Sequence, residues 1–95
     1  MSALNLSSKV ARNDDVAYTY MDDEMVIMGA DDQLFYGVNA VGASIWAFLE
    51  GGIQSVQAIC EHLQSLYEVA DKQCVADATQ FIAQMQAQNM LLVNE

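Results

Sequence analysis

The sequence predicts an α+β domain in which a three-stranded antiparallel meander is followed by three helices. Three observations carry that expectation. Between Val16 and Val38, β-branched and aromatic residues recur in short runs parted by acidic or glycine-bearing turns. From Asn39 onward, apolar residues fall three and four positions apart, the spacing of one helix face. A residue able to cap, Asn39, Ser55 or Asp71, stands at the start of each helical segment. Ninety-five residues are enough for one domain, and a composition of 54% hydrophobic and 17% charged residues is that of a packed protein rather than a disordered one.

Taken in order, residues 1–15 are polar and aperiodic and predict a flexible N-terminal tail, with order beginning near Val10; residues 16–95 predict a single domain. Val16, Tyr18 and Tyr20 alternate with Ala17 and Thr19 in the first strand. Asp22-Asp23 predicts a turn, Met25 to Met28 a second strand, and Gly29 to Asp32 another turn. The third strand spans Gln33 to Val38, with Leu34, Tyr36 and Val38 on one face and Phe35 and Gly37 on the other.

Asn39 then caps a first helix over Ala40 to Leu49, with Val41, Ile45, Phe48 and Leu49 at helical spacing and Trp46 beside them; Gly51-Gly52 ends it. Ser55 caps the second helix, whose Val56, Ile59, Cys60, Leu63, Leu66 and Tyr67 make the cleanest amphipathic stripe in the chain. Asp71 caps the third, where Cys74, Ala78, Phe81, Ile82 and Met85 are apolar and Gln80, Gln84, Gln86 and Gln88 face water. Asn89 stops that helix, and Met90 to Val93 is a short strand or an apolar tail packed on the core.

Thirteen acidic and three basic side chains leave a formal net charge of −10. Nucleic-acid binding draws on Lys and Arg to displace counterions from phosphates, so nucleic acid and anionic membranes are excluded as partners and a basic or neutral one is expected. No apolar run approaches the ~20 residues of a membrane span, and the first fifteen residues hold no signal-peptide core, which predicts a cytoplasmic protein. Two cysteines are too few for a disulfide scaffold and suit a reducing compartment.

Chemistry finds little support. His62, the single histidine, follows Cys60 by two helical positions, and such residues point about 200° apart, too far to pair for catalysis or to share a metal. No second cysteine pair completes a zinc site, the acidic turns lack the spacing of a calcium loop, and no glycine-rich phosphate cradle is present. No motif calls for a cofactor. Peptide binding has more in its favour. A meander has an open edge that an extended peptide can extend, and a groove between the third strand and the third helix would be lined by Leu34, Tyr36, Phe81 and Met85, unless these four are only core.

From Val16 to Val93 the chain resembles the PqqD-like family, also called RiPP recognition elements. The resemblance rests on Val38-Asn39 with Gly42, Ile45-Trp46, Leu49 and Gly51-Gly52; on Val56, Ile59, Leu63 and Tyr67; and on Asp77, Phe81-Ile82, Met85 and Met90-Leu91. Asn89 stands where members carry glycine, and the chain has no proline. The resemblance implies a winged-helix-like fold without catalytic activity. It implies binding of the leader segment of a ribosomally made precursor peptide as a strand added to the third strand. The leader would then be presented to a modifying enzyme such as a radical SAM enzyme, a protease or a cyclase. Gln33, Leu34, Phe35 and Tyr36 would pair with the leader, and Cys74, Asp77, Phe81 and Met85 would offer the helix side, with Asp77 meeting a basic residue. Two further readings are a winged-helix regulator, which the scarcity of basic residues disfavours, and a homodimer formed through the same strand edge.

Overall fold

The computed structural model describes residues 4–29 and 34–94. In chain order the elements are β1 (Lys9–Arg12), β2 (Ala17–Met21), β3 (Glu24–Met28), β4 (Phe35–Val38), α1 (Ala40–Phe48), β5 (Gln54–Ser55), α2 (Val56–Leu66), α3 (Asp71–Ala87) and β6 (Leu91–Asn94), with a single 3-10 turn at Leu49–Gly51 after α1.

The expected meander is present as an antiparallel sheet in the order β2-β3-β4. Its register places Tyr18 opposite Ile27 and Tyr20 opposite Met25, and then Ile27 opposite Tyr36 and Met25 opposite Val38. These residues share one face, and Met25, Ile27 and Val38 are buried there against α1. The alternate positions, among them Thr19, Val26, Met28 and Phe35, form the outward face. Asp22 makes the β2–β3 turn at φ 59°, a left-handed conformation that aspartate accepts better than most residues.

Residues 9–12 are not part of a tail. They form the central strand of a second antiparallel sheet, β5-β1-β6, with Lys9 opposite Ser55 and Asn94, and Arg12 opposite Leu91. Val10 is fully buried. The sequence shows no period there because the strand is only four residues long and its partners lie far downstream. Met90 to Val93 resolves in favour of a strand, β6.

Arg12 ties the two sheets together. Its Nε and Nη2 donate to the Trp46 carbonyl at 2.9 and 2.6 Å, and its Nη1 donates to the Tyr18 hydroxyl at 2.9 Å. The guanidinium lies 5.0 Å from the Tyr18 ring centre and 4.8 Å from that of Trp46, within cation–π range of both.

Helix ends follow local chemistry. Asn39 Oδ1 accepts from the Gly42 amide at 2.9 Å, and Ser55 Oγ from that of Ala58 at 3.0 Å. Asp71 is the first residue of α3 rather than its cap, which is Ala70 with no side-chain bond; the Asp71 carboxylate instead accepts from Gln64 Nε2 and places negative charge in the first turn. Asn89 ends α3 at φ 59°, a left-handed geometry that asparagine accepts better than most residues other than glycine. The core is one cluster centred on Trp46, Ile45, Met25, Ile27, Ile59 and Ile82.

Candidate functional site: the groove between β4 and α3

Among the described residues, β4 is an edge strand whose one neighbour in its sheet is β3. α3 lies along its other side, and the gap between them forms a groove with two hollows of about 370 Å³ each. Phe81 stands between the hollows and lines both, together with Asn39 and Gln84. One hollow continues over Tyr36, Gly37, Val38, Met85, Gln88 and Met90 and contains no charged residue. The other continues over Val41, Gly42, Gln80 and Asp77, its single charged residue.

The groove exists because α1 leaves β4 abruptly and its first turn passes close to α3 at Gly42. Asn39 turns the chain from strand to helix by capping α1, and Gly42 then lies against Phe81. A methyl group at Gly42 would come within 2.6 Å of both Phe81 Cε1 and Val38 Cγ1. The glycine of the Val38-Asn39-x-x-Gly42 segment is therefore a packing requirement. It lets α1 approach so closely that the Phe81 ring is propped at the groove's centre. At the far end the Tyr36 hydroxyl donates to Gln88 Oε1 at 3.2 Å, linking β4 to the last turn of α3. Gln73 Nε2 donates to Asp77 Oδ1 at 2.8 Å, which fixes the carboxylate at the groove rim.

Of the residues expected at the site, Tyr36, Asp77, Phe81 and Met85 come together in the groove. Leu34 is exposed just before β4, and its carbonyl accepts from the Gly29 amide at 2.9 Å. Gln33 lies outside the described residues. Two residues point elsewhere. Phe35 pairs with Met28 on the outward face and is 73% exposed. Cys74 is buried against α2, with its Sγ donating to the Cys60 carbonyl at 3.5 Å. The reason is helical phase: Cys74, Ala78, Ile82 and Met85 are the buried positions of α3, while Asp77, Phe81, Gln84 and Gln88 form the adjoining stripe along the groove.

That second stripe, spaced four, three and four residues apart, was available as a sequence signal for Gln84 and Gln88. Asn39 and Gly42, legible as cap and helix residues, gave no sign that they line a groove.

Among the described residues, neither cysteine nor the histidine lines the groove. The Cys60 thiol is pushed up to about 11, first by burial and then by the neighbouring Cys74. His62 is stacked flat on Phe48, ring centres 4.3 Å apart, on the α1–α2 side of the molecule. Among the described residues, no cluster of three or more His, Cys, Asp or Glu side chains is arranged to hold a metal ion, and no helix is long and apolar enough to cross a membrane.

Comparison with known proteins places this geometry. No curated protein sequence matches the chain. Two solved structures share its fold. One, TbiB1 in complex with the TbiA(beta) leader peptide, is 26% identical with a TM-score of 0.76, over 85% of this chain and 93% of that one. The other, lasso peptide synthetase B1 complexed with its leader peptide, is 20% identical with a TM-score of 0.73, over 87% of this chain and 96% of that one, and likens the fold alone. The family profile described as coenzyme PQQ synthesis protein D matches residues 24–91, from β3 to the first residue of β6. With β3, β4, the three helices and the cap–glycine junction all inside that span, the chain belongs to the PqqD family.

Proposed function

We propose that this chain is a non-catalytic peptide-recognition domain that binds the leader segment of a ribosomally made precursor and presents it to a modifying enzyme, such as a radical SAM enzyme, a protease or a cyclase. The observation that carries the reading is the open edge of β4 facing α3 across a groove centred on Phe81. A strand-like peptide laid there extends the sheet through main-chain hydrogen bonds and sends alternate side chains into the groove. The uncharged hollow suits an apolar side chain, and the hollow at Asp77 a basic one. Support comes also from TbiB1, which is known in complex with a leader peptide. Work in a reducing compartment such as the cytoplasm fits the two buried free thiols.

The test is fluorescence anisotropy with labelled leader peptides encoded beside this gene, followed by amide-shift mapping on the tightest. Shifts concentrated on residues 35–38 and 77–85 are expected. Phe81→Ala is expected to cost more than about tenfold in affinity while far-UV circular dichroism retains the helices, as for an anchor at the centre of an interface. Binding with shifts confined to β5, β1 and β6, or no binding by any such peptide, would sink the reading.

A further inference from the structure

The outward face of the β2-β3-β4 sheet departs from the usual pattern of an antiparallel sheet, in which one side packs on the core and the other is polar. Its positions are set by the register. Ala17 pairs with Met28, Thr19 with Val26 and Met21 with Glu24, while Phe35 and Gly37 pair with Met28 and Val26 from the other side. Only Thr19 and Glu24 among them are polar. No element among the described residues covers this face: Met21 is 59% and Phe35 73% exposed, and a shallow hollow of about 210 Å³ lies between β2 and Phe35. An exposed apolar patch of this kind, on a chain whose core is already complete, marks an interaction surface.

Gly37 adds a second observation. A Cβ there would meet nothing within 4 Å, and the backbone is not in the left-handed region. Neither packing nor conformation within this chain calls for glycine, which weakens a strand. A glycine inside a strand often marks close approach by something else.

Charge identifies the occupant. Asp14 and Asp15 precede β2, Asp22 and Asp23 close its other end, and Glu24 lies on the face itself. No Lys or Arg occurs between Arg12 and Lys72, and Arg12 is engaged with Trp46 and Tyr18 on the opposite side of the sheet. A second copy of the chain would bring two acidic rims together, which costs several kcal/mol. The fit is to a protein surface with an apolar centre bordered by Lys and Arg.

We infer that the outward face of β2-β3-β4, centred on Phe35 and Gly37, docks the peptide-modifying enzyme through such a surface. The inference rests on the leader-binding reading for the identity of the partner, and it adds a consequence. A leader added to β4 becomes the next strand of the same sheet, so alternate leader side chains fall on the outward face beside Phe35 and Gly37. The enzyme then meets a face wider in the loaded domain than in the empty one. Leader and enzyme strengthen each other's binding by the same factor.

The experiment measures binding of the purified modifying enzyme encoded beside this chain by calorimetry, with and without the leader peptide, to the wild-type chain and to Met21→Thr and Met28→Thr, which alter the outward face on β2 and β3 rather than on the strand that the leader joins. Thr is a good strand former and both positions lie on the outward face, so the fold is retained. Each variant is expected to lose about tenfold or more in enzyme affinity, the size of an interface anchor, while leader affinity stays within about twofold. Leader is expected to tighten enzyme binding to the wild-type chain. Unchanged enzyme affinity in both variants, or no enzyme binding to the wild-type chain in either state, overturns the inference and leaves leader binding to stand on its own titration. Loss of enzyme binding in the variants of a chain that binds no leader sustains the docking face and sinks the leader reading instead. Self-association on sedimentation at rising concentration, abolished by Met28→Thr, would assign the face to a second copy and overturn it.

Discussion

Gly42 and Phe81 are packed so closely that a single added carbon would not fit: a Cβ on Gly42 would lie 2.6 Å from Phe81 Cε1. That contact holds the start of α1 against α3 and sets the height of the Phe81 ring between the two hollows. A glycine inside a helix ordinarily costs about 0.5–1 kcal/mol relative to alanine. Here the close approach outweighs that cost.

Gly42→Ala is therefore expected to lower stability although it raises helix propensity. Overpacking costs about 1–3 kcal/mol against a propensity gain of about 1 kcal/mol, leaving a net loss of up to about 2 kcal/mol. Urea denaturation measures it. A stabilised variant would show that Phe81 and Val38 can move aside and that the groove is plastic.

Arg12→Lys is expected to destabilise the fold almost as much as Arg12→Ala, by about 2–3 kcal/mol, because a lysine cannot hold the Trp46 carbonyl with two nitrogens while stacking over two rings. Thermal unfolding of both variants checks this. A lysine variant of wild-type stability would reduce Arg12 to a point charge in an acidic surrounding.

Asp77 lies at the groove rim and is solvent-exposed, so its pairing with a basic leader residue is worth about 0.2–1 kcal/mol. Asp77→Asn should weaken the leader by at most about fivefold and flatten the fall of affinity with rising salt. Retention of the full salt dependence in the variant would move the electrostatic contribution away from Asp77.

The thiol pair makes a pH prediction. Burial raises Cys60 from its ordinary 9.0 to about 11, so the fold favours the protonated form. Its contribution to stability is complete below about pH 9 and is lost as pH climbs through about 11. Thiol labelling of the folded chain at neutral pH should be slow, and Cys60→Ala should remove this alkaline loss. An identical alkaline profile in the variant would place the titrating group elsewhere.

Much of the fold was legible because its signals are local. Alternation placed Tyr36 and Val38 on one face of β4 and Phe35 and Gly37 on the other, and the register agrees. The capping of Asn39 and Ser55 and the α2 stripe Val56, Ile59, Cys60 and Leu63 are likewise properties of a few neighbouring residues. The site was legible in part: Phe81 and Met85 face the groove as expected, whereas Cys74 does not, since an apolar residue on a helix can turn to either of two neighbours and only α2 decides which.

By itself the sequence determined the α+β class, the order of the three meander strands and the three helices, the faces of the meander and the capped starts of α1 and α2. Tertiary structure alone decided that residues 9–12 become the central strand of a second sheet, that Gly42 is there to admit Phe81, and that Phe35 belongs to an uncovered face rather than to the groove. The physical reason is common to all three. Local patterns record which side of an element is apolar, but what covers that side depends on chain segments far away in sequence, and their approach is settled only when the whole core closes.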